Sequence, residues 1–227
     1  RFYRINIQRR LKQFFRLRNY DVVWIARGFL VTYPPKKAFF ERCIKRMVGY
    51  LVVDSTDGGD YQRNPELVLD TMQQADRITV GFAYLKSFFS QYFDDVVQFN
   101  WTLPDDNYIT KKNYEVDELP IIGWMGSPAN FDHVRKIEGE LNKLAQVKSF
   151  KFVYICREEQ KDFNISNAII EHHLFGDDYA EIIAGFDVGI APCFGETMVQ
   201  KGKIAMKHLE YLLCAVPQVC SPVAISE

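Results

Sequence analysis

Three segments near the end of the chain decide the fold: Phe186-Asp-Val-Gly-Ile-Ala191, Lys203-Ile-Ala-Met-Lys-His-Leu-Glu-Tyr-Leu-Leu213 and Pro217-Gln-Val-Cys220. The first and third are short apolar runs typical of buried strands. The middle segment places apolar residues on one side of a helix and polar residues on the other. A strand, a helix and a second strand in this order form a βαβ unit, whose two strands lie in parallel. These segments therefore predict a parallel sheet covered by helices.

Short apolar runs and helical patterns alternate on both sides of a polar segment at residues 100–119. Strands are predicted at 21–26, 50–53, 77–80 and 96–99 before it, and at 120–125, 150–155, 186–191 and 217–220 after it. Helices are predicted at 36–47, 65–74, 84–92, 132–145, 179–184 and 203–213. The polar segment has little periodicity, as is usual in an interdomain linker. The sequence therefore predicts an α/β protein with two Rossmann-like domains of parallel sheet, residues 1–117 and 118–227.

The composition excludes several classes of protein. Apolar residues make up 48% of the 227 residues, which is enough for a globular core. Lys and Arg total 28 against 29 Asp and Glu, and the net charge of -1 argues against a nucleic-acid partner. The apolar runs are shorter than the ~20 residues of a membrane-spanning helix. The five cysteines are scattered without the spacing of metal ligands, which predicts reduced thiols in the cytoplasm and no bound metal.

Residues 1–18 carry seven Lys or Arg and no acid. Within them Ile7, Leu11, Phe14 and Phe15 recur at the spacing of one helix face, with basic residues around it. A basic amphipathic helix of this kind can lie on an anionic membrane surface, which predicts peripheral contact with the inner face of the membrane. The alternative is an ordinary surface helix docked on a sheet.

The predicted helix at 203–213 carries the clearest candidate binding residues. Lys203, Lys207 and Glu210 are spaced i, i+4 and i+7, so they share one face. Two ammonium groups near the positive end of a helix dipole suit a diphosphate. A carboxylate one turn further on suits ribose hydroxyls, as in dinucleotide sites. The alternative is a solvated face with a weak surface ion pair.

The loop after the strand at 120–125 contains Gly126 and Ser127. Glycine lets the backbone approach a ligand closely, and free amides at a helix start attract anions. These two residues are therefore candidate donor-binding residues. The alternative is an ordinary turn in which Asn130 or Asp132 caps the following helix.

Asp54 and Asp57 follow the strand at 50–53, and Arg27 follows the strand at 21–26. Sites in parallel sheets collect at the carboxyl ends of the strands. The two acids are candidates for orienting substrate hydroxyls, and Arg27 for binding an anion or pairing with them. The alternative for the acids is ordinary turn chemistry around two glycines. His172 and His173 lack a third ligand at metal spacing, which favours a structural role.

Several segments together resemble glycosyltransferase family 4, whose members have the GT-B fold of two Rossmann domains. The strongest resemblance lies at 186–192, 201–211 and 216–222, and a divergent branch is similar at 121–127. Weaker similarity to the acceptor half lies at 20–23, 53–57, 75–80 and Asn100. Family members usually have a further strand and helix before residue 21 and more helices after residue 226. The resemblance therefore implies a chain truncated at both ends, with each domain incomplete.

The resemblance implies transfer of a sugar from a nucleoside diphosphate sugar to a glycan or lipid-linked acceptor, with retention at the anomeric carbon and without a metal or other cofactor. Of the family's two glutamates, eight positions apart, the second falls on Glu210, which implies ribose binding. The first falls on Gly202, so that acid is missing. The family's diphosphate-binding Arg and Lys are also missing, and we expect Lys203 and Lys207 to replace their charge. Arg27 lies near the place of the family's histidine.

The residues leave two other functions open. Gly202 and the missing histidine favour a non-catalytic module that binds a sugar nucleotide or a partner. A related two-domain epimerase acting on the same donors is the other alternative. Catalysis is assigned, as an expectation, to Asp54, Asp57 and Arg27, and donor binding to Gly126, Ser127, Lys203, Lys207 and Glu210.

Overall fold

A computed structural model of the chain describes residues 2–30, 35–100, 102–202 and 206–222, with the backbone alone for 2–6. The chain divides into two compact units. Unit 1 consists of Arg1–Trp101 and Gly195–Ile204, and unit 2 consists of Thr102–Phe194 and Ala205–Glu227. The polar segment that the sequence assigns to a linker thus groups mainly with unit 2, and a short later piece groups with unit 1.

Unit 1 is built on a parallel sheet of four strands in the order β1-β2-β3-β4. The strands are β1 Val22–Ala26, β2 Tyr50–Ser55, β3 Arg77–Val80 and β4 Val96–Gln98. The helices before and between them are α1 Phe2–Arg16, α2 Phe39–Met47, α3 Gly59–Arg63, α4 Pro65–Met72 and α5 Ala83–Phe89. Strands joined by helices in this way must be parallel, which confirms the predicted βαβ organisation.

Strand β1 alternates between core and surface, because successive side chains of a strand point to opposite faces. Val23 and Ile25 are buried in the core of unit 1, whereas Trp24 is exposed and meets the ring of Phe99 at 5.6 Å between centroids. Helix α1 packs on the same core through Phe14, whose ring lies 5.7 Å from that of Phe29. The helix is therefore docked, as the alternative to the membrane prediction expects.

Unit 2 contains a five-stranded parallel sheet in the order β7-β6-β5-β8-β9. The strands are β5 Ile121–Met125, β6 Phe150–Ile155, β7 Ala168–His173, β8 Val188–Ala191 and β9 Gln218–Cys220. The remaining helices are α6 Pro128–Arg135, α7 Glu138–Val147, α8 Tyr179–Ala184, α9 Met198–Lys201 (in unit 1) and α10 Met206–Leu213. The strand order reverses at β5, and ligands of doubly wound sheets bind outside the carboxyl ends of the strands at such a reversal.

The sheet of unit 2 has an apolar core on each face. Trp124 and Tyr154 belong to one buried cluster, and their neighbours Met125 and Ile155 belong to the other. This division follows from the alternation of side chains along β5 and β6. Parallel sheets are usually covered on both faces, and unit 2 conforms to that pattern.

The structure differs from the predicted elements at several places, and helices α3 and α9 were not predicted. The single helix predicted at 132–145 is wrong, because α6 and α7 are separate helices that meet near Ile137. Helix α6 begins at Pro128, so Asn130 and Asp132 lie inside it and neither is its cap. Strand β7 was not predicted. Strand β2 extends through Asp54 and Ser55, so Asp54 belongs to the strand.

Among the helices of the described ranges, none combines the length and the apolar character needed to cross a bilayer.

Candidate functional site

The loop that leaves β5 lies where the strand order of unit 2 reverses. The amide of Gly126 donates to the carbonyl oxygen of Ile155 at 3.0 Å. A β-carbon on Gly126 would lie 2.7 Å from the ring of Trp124, so the residue must be glycine for the loop to pack this closely. Ser127 occupies the N-cap position of α6 and is exposed, and its hydroxyl accepts from the amide of Asn130 at 2.9 Å. The two predicted donor-binding residues thus precede a helix start at the reversal of the sheet.

Lys207, the second residue of α10, packs against this loop. Its ammonium nitrogen lies 5.5 Å from the ring centroid of Trp124, a cation–π distance. Its Cε atom would be 3.0 Å from a β-carbon on Gly126. The half-buried Lys207 therefore places positive charge beside the Gly126 loop. Lys203 lies outside the described residues.

Glu210 is buried, with only 7% of its surface exposed, so the alternative of a solvated surface pair does not apply to it. Burial raises the pKa of Glu210 above its usual value, while a hydrogen bond from Tyr108 and the charge of Lys207 act in the opposite direction. The Tyr108 hydroxyl donates to Oε1 at 3.2 Å, and within the described part of the chain Oε2 has no hydrogen-bond partner. Lys207 and Glu210 therefore lie on the same side of α10, with the carboxylate inside unit 2.

In unit 1, Arg27 forms an ion pair that the sequence did not predict. Its guanidinium donates through two nitrogens to both carboxylate oxygens of Asp60. This pairing raises the pKa of Arg27. The backbone of Arg27 has a φ of 70°, uncommon for a residue other than glycine, and its amide donates to the carbonyl oxygen of Asp54 at 2.8 Å. Arg27 is thus fixed at the carboxyl ends of β1 and β2, and Asp60 is an additional site residue.

Asp54 and Asp57 are held by different partners. Asp54 accepts from the hydroxyl of Thr79 at 2.6 Å, and burial raises its pKa while that hydrogen bond lowers it. Asp57 accepts from the amide of Gly59 at 2.7 Å, which is the turn geometry that the alternative expects. Asp54 thus lies near the carboxyl end of β2 and Asp57 in the turn that follows the strand, and both acids are half-buried.

A cavity of about 130 Å³ lies beside the Arg27–Asp60 pair within unit 1. Its wall includes Glu41, which is 3% exposed and accepts from the amide of Phe29 at 2.8 Å through Oε1. The other oxygen of Glu41 has no hydrogen-bond partner among the residues that the structure describes. The cavity is therefore lined both by the buried Glu41 and by the Arg27–Asp60 pair at the edge of the sheet.

Gly202, where the resemblance to the family implies an acid, contacts Gly58 within unit 1. The amide of Gly58 donates to the carbonyl oxygen of Gly202 at 2.6 Å. A β-carbon on Gly202 would lie 2.8 Å from the Cα of Gly58. In this arrangement the backbone occupies the space that a glutamate side chain would need.

Within the described ranges, no three His, Cys, Asp or Glu side chains converge as a metal site. His172 instead contacts the carbonyl oxygen of Cys156 at 2.9 Å and stacks on Tyr154 at 4.8 Å. These contacts agree with the structural role expected for His172.

Neither a protein-family model nor a curated protein sequence matches the chain. Solved structures do match. An alpha-glucosyltransferase in complex with UDP-glucose and DNA containing an abasic site is 12% identical, with a TM-score of 0.59 over 93% of this chain and 63% of its own. HepE from Anabaena in complex with UDP is 15% identical, with a TM-score of 0.61 over 95% of this chain and 63% of its own.

A third match is the Glycosylation Associate Protein (Gap123) complex from Streptococcus agalactiae, 12% identical, with a TM-score of 0.55 over 96% of this chain and 46% of its own. These likenesses confirm the predicted fold class, two incomplete Rossmann-like domains of GT-B type. The chain spans less than two thirds of the length of each of these structures.

Proposed function

We propose that the chain belongs to a glycosyltransferase that moves a sugar from a nucleoside diphosphate sugar to a glycan or lipid-linked acceptor. Lys207 beside the Gly126 loop carries this proposal, because it places a cation at the reversal of the unit 2 sheet, where a diphosphate would bind. The presence of UDP or UDP-glucose in two of the similar structures supports the donor class.

In the proposed mechanism, unit 2 binds the donor. Negative charge develops on the diphosphate as the glycosidic bond breaks, so cations and helix amides there stabilise the transition state more than the ground state. Lys207, the amides after Gly126 and Ser127, and Lys203 would supply this charge stabilisation. Glu210 would bind the ribose. Retention at the anomeric carbon and independence from metals and cofactors are part of the proposal on the ground of the family resemblance.

Unit 1 would act on the hydroxyl groups of the acceptor or of the transferred sugar. Asp54 is suited to accept a hydrogen bond from a substrate hydroxyl, and burial raises its pKa above the usual value while the hydrogen bond from Thr79 lowers it. Arg27 and Asp57 would orient the same substrate. The fixed Arg27–Asp60 pair supports a pre-organised site, because the guanidinium is already held in one orientation.

We further propose a cytoplasmic location with peripheral contact at the inner face of the membrane. All five cysteines are free thiols, as is usual in a reducing compartment. Helix α1 docks through Phe14 but leaves Phe15 69% exposed among basic residues, an arrangement that suits an anionic lipid surface. The net charge of -1 supports a protein that does not bind nucleic acid.

The proposal is tested by measuring the thermal midpoint of the chain with a panel of UDP- and GDP-sugars, followed by a transfer assay with the stabilising donor. A ligand that binds only the folded chain raises the midpoint, so one donor should raise it clearly more than the free sugar does. Sugar transfer to a glycan or glycolipid acceptor should follow. A flat panel, with no donor raising the midpoint, would contradict the proposal.

The contact between Gly58 and Gly202 favours a second candidate, a non-catalytic sugar-nucleotide-binding module of the same fold. The glycine pair occupies the position at which the family resemblance expects an acid for the donor sugar. Donor binding without transfer to any acceptor, and without hydrolysis of the donor, would support this second candidate.

A further inference from the structure

Three polar side chains of unit 2 form a hydrogen-bonded chain that ends at Glu210. The hydroxyl of Tyr179 donates to the hydroxyl of Tyr108 at 3.0 Å, and Tyr108 donates to Oε1 of Glu210 at 3.2 Å. The two tyrosine rings meet edge to face at 6.1 Å between centroids. Because Tyr179 holds the Tyr108 hydroxyl in place, the hydrogen bond from Tyr108 favours one orientation of the Glu210 carboxylate.

Tyr108 is held in place by the residues that follow it. The amide of Lys111 donates to the carbonyl oxygen of Cys214, just after α10, at 2.8 Å. The ammonium of Lys111, whose side chain is 9% exposed, donates to the carbonyl oxygen of Phe186 at 2.9 Å. The hydroxyl of Tyr114 donates to the carbonyl oxygen of Ala215 at 2.9 Å. The segment carrying Tyr108 is therefore attached to the end of the helix that carries Glu210.

The second oxygen of Glu210 is buried and has no hydrogen-bond partner among the described residues. A buried carboxylate oxygen is stabilised when a donor reaches it, and the single hydroxyl proton of Tyr108 is already donated to Oε1. One hydroxyl of a ribose supplies such a donor. The two oxygens of Glu210 thus have different surroundings: Oε1 accepts from Tyr108, and Oε2 has no partner among the described residues.

We propose that Tyr108 is a positioning residue for the nucleotide: it holds Glu210 through Oε1 so that Oε2 accepts one ribose hydroxyl of a nucleoside diphosphate. This inference rests on the proposed function, in which Glu210 binds the ribose. Tyr179 supports Tyr108 through the hydrogen bond between their hydroxyls. Tyr108 and Glu210 are 102 positions apart, so the site needs the segment after residue 101 as well as the last helix.

The test is a binding cycle with UDP and its 2′-deoxy and 3′-deoxy analogues, measured by calorimetry on the whole chain and on the Tyr108→Phe variant. The wild type should bind UDP roughly tenfold or more tightly than the analogue that lacks the contacting hydroxyl, as expected for a hydrogen bond to a charged group. Tyr108→Phe should reduce this ratio at least about threefold and leave the affinity for that analogue nearly unchanged.

Tyr114→Phe is the matched control, because it removes a tyrosine hydroxyl from the same segment whose partner is Ala215. It should keep the wild-type ratio. Tyr179→Phe should give an intermediate ratio and serves as the second variant if Tyr108→Phe is poorly folded. If both Tyr108→Phe and Tyr179→Phe still bind UDP and keep the wild-type ratio of affinities, the positioning role of Tyr108 is overturned. The donor-binding proposal would stand in that case. A wild type that binds no nucleotide in this assay would overturn the inference together with the donor-binding proposal.

Discussion

The amide of Gly58 donates to the carbonyl oxygen of Gly202 at 2.6 Å, and the two backbones approach so closely that neither position has room for a side chain. A β-carbon on Gly58 would lie 2.3 Å from the carbonyl oxygen of Met198, and one on Gly202 would lie 2.5 Å from the same atom. Helix α9 is thereby attached to the start of α3 within unit 1. The close contact gives a physical reason for glycine at position 202.

We expect Gly202→Ala to destabilise the protein by about 1–3 kcal/mol, because the added methyl group must displace backbone atoms. Gly139→Ala is the matched control, since a β-carbon there would contact no atom of another described segment within 4 Å and the residue lies in α7. That control should be neutral or slightly stabilising, as alanine favours a helix. The free energy of unfolding in urea measures both variants. Equal effects of the two substitutions would contradict the steric explanation.

The raised pKa of Glu210 predicts how stability depends on pH. The folded pKa lies above the usual value of 4.5, so the unfolded chain loses this proton at lower pH than the folded chain does. The contribution of Glu210 to stability is therefore fully present below the unfolded pKa and is lost as the pH rises through the folded pKa. Glu210→Gln should remove this loss.

Urea unfolding of the wild type and of Glu210→Gln between pH 4 and pH 8 measures this effect. The variant should gain stability relative to the wild type as the pH rises, and the difference should level off once Glu210 is ionised in both states. If the stability advantage of Glu210→Gln instead grows as the pH falls, the prediction is wrong. The folded protein would then stabilise the ionised carboxylate of Glu210.

Lys207→Gln should weaken the binding of UDP roughly tenfold, because a diphosphate would lose one charged contact while the neutral side chain still packs near Trp124. Calorimetry with UDP measures the change. Lys143→Gln is the control: Lys143 pairs with Glu140 on the surface, and both side chains are 71% exposed. The assignment of Lys207 to donor binding would be wrong if both variants kept the wild-type affinity.

Phe14 and Phe15 should have different effects when replaced. Phe15→Ser should reduce binding to vesicles containing anionic lipid without changing stability, because its ring is exposed. Phe14→Ser should lower the thermal midpoint, because its ring packs on Phe29 and Phe40 in the core of unit 1. Vesicle co-sedimentation and thermal unfolding separate the two effects. Equal vesicle binding by the wild type and Phe15→Ser would argue against a membrane function for α1.

Most of the fold could be predicted from the sequence because the strands of a parallel sheet are nearly continuous apolar runs. Strand β6 and helix α8 have the predicted bounds. Strand β7 was missed because it lies at the sheet edge, where a run containing Glu171 and two histidines remains half-exposed. The break between α6 and α7 was missed because the apolar spacing continues across it.

Less of the candidate site could be predicted from the sequence, because its contacts join residues that are far apart along the chain. Arg27 and Asp60 are separated by 33 positions, and Tyr108 and Glu210 by 102. Tyr108 lies in a segment without periodicity, so no pattern distinguishes it from the other aromatic residues there. The Pro128 start of α6 was a usable signal, since proline favours the first turn of a helix.

The glycine pair also limits how the sequence can evolve. A single substitution that introduces glutamate at position 202 places its β-carbon among the backbone atoms of Gly58 and Met198. The junction between α9 and α3 would have to move apart before an acid there could be accommodated. An acid at this position is therefore hard to introduce in one mutational step.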